Sequence, residues 1–225
     1  MKVNKLHEFG LSPAEAVKLQ LRLASLVRPE DQPGEIRLVA GVDVSLGRQG
    51  GSGRAAIVVL QYPSLDLVAE SFNEGQVSMP YIPGLLSFRE LPLIIPALEK
   101  LSLEPDLFIV DGQGVAHPRR LGIAAHLGLF TGKPTIGCAK SRLCGEHAEV
   151  GNYPGDSTEL MDGDEVIGRV VRTKAGCKPV HISVGHNIRL ETAITWVFKL
   201  NNGYRLPEPV RIAHSAAARS ESISG

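Results

Sequence analysis

Three carboxylates stand where they could act on one substrate. Asp43 closes the apolar segment around Gly41-Val42-Asp43-Val44-Ser45, and Asp111 closes the continuous apolar run Leu107-Phe108-Ile109-Val110. Glu90 lies between them, in a stretch whose apolar residues recur at helical spacing. If residues 43 and 111 end neighbouring strands, their side chains face each other across about 5 Å, the separation of adjacent strands. Two bare carboxylates that close repel, and a hard divalent cation relieves the repulsion. Mg²⁺ in particular prefers a few carboxylates supplemented by water and phosphate oxygens. Such a centre suits metal-assisted phosphodiester hydrolysis, because it can hold the phosphate, generate hydroxide and neutralise the leaving oxygen. Singly, an Asp at a strand end is most often a turn former or a helix cap, and a Glu on a helix is usually a solvated face. Their coherent placement is what favours chemistry. Asp111 is the strongest point, since Gly112-Gln113-Gly114 leaves the backbone after it open to a ligand at the strand's C-terminal end.

Other side chains could complete such a site. His214, in Arg211-Ile212-Ala213-His214, is a candidate fourth metal contact or a proton carrier near neutral pH, although an isolated histidine is more often an ordinary one. Lys140, followed by Ser141 and Arg142, could meet a phosphate as a point charge. Arg119, Arg120, Arg169, Arg172, Lys174 and Lys178 could form a local basic footprint. Zinc is not indicated: no histidine pair has the tight spacing of a zinc helix, and Cys138, Cys144 and Cys177 form no C-x-x-C pair. Gly112-Gln113-Gly114 lacks the spacing of a dinucleotide or phosphate-binding loop.

The elements that must position these residues follow from pattern. Ser12-Pro13-Ala14-Glu15 is a capping box that starts a helix running to about Val27. Residues 36–44, 55–62 and 67–77 read as three strands, joined by a glycine-rich turn over 47–53 and a short Pro63-Ser64 turn, hence an antiparallel meander. A helix over 85–101 should kink at Pro92 and Pro96. Strand 107–110, helix 119–130 and strand 134–138 form a parallel crossover. Beyond Lys140 the pattern gives a hairpin through Asp162-Gly163-Asp164, a strand over 179–184, a helix over 190–200 and a final helix from Pro207 to about Ala218. Three antiparallel strands followed by parallel crossovers and flanking helices describe a ribonuclease-H-like mixed α/β sheet, with 1–225 as one domain and a frayed tail over 219–225.

Composition agrees with that class. Over 225 residues, 24 Lys plus Arg balance 24 Asp plus Glu, and 43% of residues are hydrophobic, which excludes disorder and small disulfide scaffolds. A neutral total can still hide patches of opposite sign on different faces. The odd cysteine count, the charged N-terminus and the lack of a run of about 20 apolar residues predict a cytoplasmic protein without membrane contact.

Longer runs carry a resemblance. Pro80-Tyr81-Ile82-Pro83-Gly84-Leu85-Leu86-Ser87-Phe88-Arg89-Glu90, Val110-Asp111-Gly112-Gln113-Gly114-Val115-Ala116-His117-Pro118-Arg119 and Gly137-Cys138-Ala139-Lys140-Ser141 resemble endonuclease V. Gly41-Val42-Asp43-Val44-Ser45 and Pro207-Glu208-Pro209-Val210-Arg211-Ile212-Ala213-His214 extend the similarity over about residues 5 to 218. The resemblance implies a Mg²⁺-dependent repair endonuclease, with Mn²⁺ as a substitute, that acts on DNA containing deaminated bases, above all deoxyinosine. It implies cutting at the second phosphodiester 3′ to the lesion by a monomer. Inosine-containing RNA is a further candidate partner. By motif, Asp43, Glu90, Asp111 and His214 would surround the metal and Lys140 would approach the scissile phosphate. Pro80, Tyr81, Ile82 and Pro83 would form a strand-separating wedge, and Gly84, Leu86, Gly112, Gly137 and Leu143 would line the pocket for the extruded base. Two other readings stay open: a structure-specific RNA or DNA nuclease of the same fold, and a non-catalytic nucleic-acid-binding module.

Overall fold

The computed structural model describes residues 1–32, 34–47 and 51–219. Its strands are β1 (Leu38–Leu46), β2 (Ser52–Gln61), β3 (Asp66–Gln76), β4 (Leu107–Val110), β5 (Thr135–Ala139), β6 (Ser157–Asp162), β7 (Glu165–Val171) and β8 (Val180–His186). Its helices are α1 (Pro13–Ala24), α2 (Leu86–Lys100), α3 (Ile123–Thr131), α4 (Leu190–Lys199) and α5 (Glu208–Ala218). The eight strands form one sheet in the order β3-β2-β1-β4-β5-β8-β7-β6. The meander is antiparallel, β4 joins β1 in parallel, and β5 joins β4 in parallel. This is the ribonuclease-H-like arrangement. Beyond β5 the sheet turns antiparallel again through β8, β7 and β6.

Alternation along β1 divides the core into two layers. Ala40 and Val42 pack with Leu91, Ile94 and Leu98 of α2 and with Ala124 and Leu127 of α3, whereas Val39 packs on the other side with Trp196 and Val197 of α4 and Val210 of α5. Gly41 lets α5 lie directly on β1, since a Cβ there would sit 2.0 Å from the Pro209 carbonyl oxygen. From that crossing, five residues of helix rise about 7.5 Å to His214 and two residues of strand about 6.6 Å to Asp43. The two side chains are therefore delivered to the same level.

Three element boundaries differ from the sequence pattern. α1 keeps its expected capping box, but ends at Ala24 rather than Val27, its last turn closed by tight bonds from Leu26 to Leu23 and from Val27 to Ala24. β1 and β2 are displaced towards their connection, so the turn between them is shorter than 47–53; of that turn, 48–50 lie outside the described residues. α2 keeps its expected span, with Pro92 and Pro96 inside it. α3 starts at Ile123 instead of Arg119, because Arg120 has left-handed backbone (φ 56°) and Gly122 caps the helix. Of the expected frayed tail, Arg219 accepts a hydrogen bond on its carbonyl from Arg54, and 220–225 lie outside the described residues. No helix among the described residues is long and apolar enough to cross a membrane.

Candidate active site

β1 and β4 run side by side with Val42 opposite Val110, so Asp43 and Asp111 emerge as adjacent residues at one end of the sheet. The Asp111 N–H extends the ladder by donating to the Val42 carbonyl at 3.1 Å. α5 contributes His214, whose Nδ1 lies 2.6 Å from Asp43 Oδ2. Asp43, Asp111 and His214 each offer a ligand atom, and all three atoms lie within 4.8 Å of one another. Lys140, just past β5, pairs with Asp111 Oδ2 and places its Nζ 3.2 Å from His214 Nδ1. An imidazole N–H at Nδ1 donating to Asp43 is the arrangement that suits a carboxylate partner, and it leaves Nε2 as the ring's acceptor.

The electrostatics are those of a crowded acidic site. Burial pushes the Asp43 carboxyl above its ordinary range and the neighbouring Asp111 raises it further; hydrogen bonds from His214 and the Val44 N–H act in the opposite direction. Glu90 stands outside the close group of three but feels both aspartates. Burial first, then Asp43 and Asp111, push its carboxyl up to about 8. Acids that oppose each other's ionisation are what a divalent cation reconciles, and two carboxylates with one imidazole suit a hard or borderline ion.

Beside the acids lies a cavity of about 410 Å³. Asp111 and Lys140 belong to both. Tyr81, Gly84, Leu86, Gly112 and Leu143 also line it, together with Gln113, Ile123 and Arg142. Gly137 does not: a Cβ there would come 2.4 Å from the Gly114 nitrogen, so it lies one layer behind and lets the 112–114 turn rest on β5. Tyr81 is 64% exposed at the cavity's rim, in the Pro80–Pro83 segment that precedes α2. Gly84 bends the chain between that segment and α2 with φ +81°, a conformation glycine adopts without strain.

A family model described as Endonuclease V matches residues 21–215. The chain belongs to the endonuclease V family. An endonuclease V of Dehalococcoides mccartyi is 53% identical over 219 residues, covering 97% of this chain and 98% of that protein. The crystal structure of the Bacillus subtilis endonuclease V superposes with a TM-score of 0.90 at 35% identity, covering 96% of this chain and 95% of the other. A Ciona intestinalis endonuclease V, solved with a 23mer DNA containing an inosine followed by a ribo-adenosine, gives a TM-score of 0.81 at 29% identity, covering 92% and 97%. Membership makes the chain a nuclease, a hydrolase of DNA repair. Nucleases of this fold generally use a divalent metal.

Within this endonuclease V framework, several residues gain roles that pattern alone did not suggest. Gln20 of α1 is fully buried and lines the cavity. Its Nε2 donates to the Gly84 carbonyl at 3.0 Å and to the Leu121 carbonyl at 2.7 Å, while its Oε1 accepts from Arg119 Nε at 2.5 Å. Arg119 Nη2 and His117 Nε2 donate to the same Gly84 carbonyl at 2.8 and 3.0 Å. Arg119 is thus turned inward. Arg120 is spent on Asp162 and Glu165, Arg169 on Glu159, and Arg172 on the carbonyls of Val150, Gly151 and Cys177. Only Lys174 and Lys178 of the anticipated footprint are exposed with no carboxylate within 4.0 Å among the described residues.

Proposed function

We propose that the chain is a Mg²⁺-dependent repair endonuclease of one domain, acting as a monomer in the cytoplasm. Its substrate is DNA containing deaminated bases, chiefly deoxyinosine, and it hydrolyses the second phosphodiester 3′ to the lesion. The observation that carries this reading is that one cavity, large enough for a flat base, shares Asp111 and Lys140 with a cluster suited to a divalent cation. The Ciona intestinalis complex with inosine-containing DNA supports the choice of base. The three cysteines are all free, in keeping with a reducing compartment.

Asp43, Asp111 and His214 would hold the cation, with Glu90 completing its surroundings from α2. Bound there, Mg²⁺ or Mn²⁺ supplies charge neutralisation at phosphate oxygens and lowers the pKa of water. The chain's own groups do the rest. Lys140 presents a compact ammonium charge beside the acids, where it can turn from Asp111 to a non-bridging phosphate oxygen. Asp43 fixes the His214 ring through Nδ1, which keeps one tautomer in place. Tyr81, held between two prolines, fills the space the base vacates. Peptide groups around Gly84 and Gly112 meet the O6 acceptor that deamination creates in place of adenine's amino donor. A buried donor left facing another donor costs about 1–3 kcal/mol, so adenine is rejected by roughly tenfold to a hundredfold, and the easier extrusion of a mispaired base adds to this.

Cleavage of labelled duplexes tests the reading. Nicking of inosine duplex, but not of undamaged duplex, with Mg²⁺ is the expected result. Equal cutting of both would select a structure-specific nuclease, and binding without cutting a non-catalytic module. Inosine DNA and inosine RNA assayed side by side then decide which nucleic acid is preferred. In Gly112→Ala the new Cβ would meet Ile123 Cγ2 at 2.4 Å in the cavity wall. The folded variant should lose inosine cutting; undiminished discrimination between inosine and adenine would place the base elsewhere.

A further inference from the structure

A second surface adjoins the acid cluster. Arg211 precedes His214 by one turn of α5, and its guanidinium lies 4.6 Å from the centre of the Tyr204 ring. Lys174 Nζ lies 5.5 Å from the same ring, which is 48% exposed. Arg205, next in the chain, donates from Nη2 to the Lys140 carbonyl at 2.6 Å and from Nε to the Lys178 carbonyl at 2.8 Å. The patch therefore joins the candidate active site twice, through α5 to His214 and through Arg205 to Lys140. None of Lys174, Lys178, Tyr204 and Arg211 lines the cavity. Lys140 lines the cavity, pairs with Asp111 and meets Arg205, so the cluster links the cavity to the patch.

Its chemistry fits a nucleic-acid strand. Arg211 is ion-paired with the buried Glu208, so its charge is offset and its plane serves as backing for the tyrosine. Lys174 and Lys178 are exposed and free to meet phosphates. A tyrosine ring that a base can reach once the Lys174 ammonium swings from over it to a phosphate, with Lys178 four residues on in the chain, fits the pattern by which single strands are held, with stacking on bases and point charges on the backbone. We propose that the Lys174–Lys178–Tyr204 patch binds the strand on the 3′ side of the scissile bond. The proposal rests on the endonuclease reading, in which the lesion occupies the cavity and the cut lies 3′ to it. A strand leaving the cavity and crossing the acids then emerges onto this patch.

The test pairs protein variants with substrate arms. Inosine oligonucleotides are prepared with a long arm on both sides, with the 3′ arm cut back to the scissile bond plus one nucleotide, and with the 5′ arm shortened instead. For wild type, shortening the 3′ arm should raise KM about tenfold, the loss expected for one stacked base with its phosphates. In Tyr204→Ala and in Lys174→Ala/Lys178→Ala, KM on the long substrate should rise by a comparable factor, and shortening the 3′ arm should add little. The double lysine variant should also lose roughly 0.7–0.9 per lysine from the slope of log affinity against log salt. Side chains this exposed leave the melting temperature unchanged, which separates contact loss from unfolding. If the variants respond to 3′ shortening as wild type does, or if their defect follows the 5′ arm, the patch does not carry the 3′ strand. A wild-type protein that cuts no inosine substrate of any length would overturn the endonuclease reading and this proposal with it; cutting by wild type with no arm dependence would overturn this proposal alone.

Discussion

Two groups of polar side chains border the same cavity and are built on opposite terms. In the clamp on Gly84, three donors from Gln20, His117 and Arg119 converge on one carbonyl. His117 Nδ1 accepts the Arg119 N–H, and among the described residues no buried side-chain N or O of the three lacks a partner. In the cluster of Asp43, Asp111, Lys140 and His214, burial and then the neighbouring Asp111 hold the Asp43 carboxyl above its ordinary range, and the His214 hydrogen bond and the Lys140 charge do not cancel that. A satisfied network holds a shape; an unsatisfied one is ready to bind. The clamp fixes where the Pro80–Pro83 segment enters α2, and the cluster is suited to take up charge from outside the chain.

The sharpest way to break this contrast is to remove an acid. Asp43→Ala and Asp111→Ala should each reduce cutting by about a thousandfold or more, roughly 4 kcal/mol of barrier. Taking one of two repelling carboxylates from a shared site costs the metal-free fold little, so melting without Mg²⁺ should hold or rise. An Asp111→Ala protein that cuts at the wild-type rate with Mg²⁺ would remove the aspartate from the metal site.

The reverse outcome is expected at Gln20. Gln20→Ala strands Arg119 Nε and removes donors from the Gly84 and Leu121 carbonyls in a buried setting. Each orphaned group costs about 1–3 kcal/mol, and a total near 3 kcal/mol lowers the melting temperature by roughly 6–12 °C for a chain of this size. Below that temperature, cutting at saturating substrate should change far less than in the aspartate variants. A stable Gln20→Ala protein with abolished cutting would make the clamp part of the chemistry.

The two groups also differed in how legible they were. Asp43 and Asp111 could be read because each follows a visible apolar run, and because the β1–β4 pairing follows from a meander and a crossover, although β1 continues past Asp43 to Leu46. Gln20 could not, since a glutamine inside an amphipathic helix looks like its solvent face until the partner loop, 64 residues on, is known to cover it. The start of α3 was misjudged for a related reason: Arg119 and Arg120 fit a helical pattern, but one is drawn inward to Gly84 and the other outward to Asp162 and Glu165. Local pattern found the β6–β7 hairpin and could not find that β8, last in sequence, pairs with β5. The motif resemblance places Gly137 in the pocket wall, whereas packing of the 112–114 turn on β5 sets it one layer back.

A smaller effect sharpens the contrast at the cavity's rim. Tyr81 belongs to the segment the clamp holds, yet its ring is largely in solvent. Tyr81→Ala should weaken binding of inosine DNA by about 1–3 kcal/mol, the worth of one stacked base. Its melting temperature should stay near wild type. A large drop in melting temperature would instead assign the ring to the core.

The smallest effect concerns pH. Burial, then the Arg119 charge, push His117 down to about 4, and its Nε2–H on the Gly84 carbonyl needs only the neutral ring. Unfolded, the same ring titrates near 6.5. Between those values the unfolded chain carries a proton the folded chain refuses, so His117 contributes stability fully above about pH 6.5 and loses it as the pH falls towards 4. Across the whole window that amounts to about 3 kcal/mol, or up to about 1.4 kcal/mol per pH unit. Buried His126, His181 and His186 are depressed as well, so the acid limb is shared and one substitution should flatten it by one proton rather than abolish it. His117→Gln keeps an N–H donor within reach of Gly84 and cannot titrate. Its stability at pH 7.5 should fall by about 1 kcal/mol for the lost acceptor of the Arg119 N–H, while its denaturant midpoint should decline less steeply from pH 6.5 to 4.5 than that of wild type. An unchanged slope would mean that folding does not hold His117 neutral, and the clamp would then accept a second cation beside Arg119.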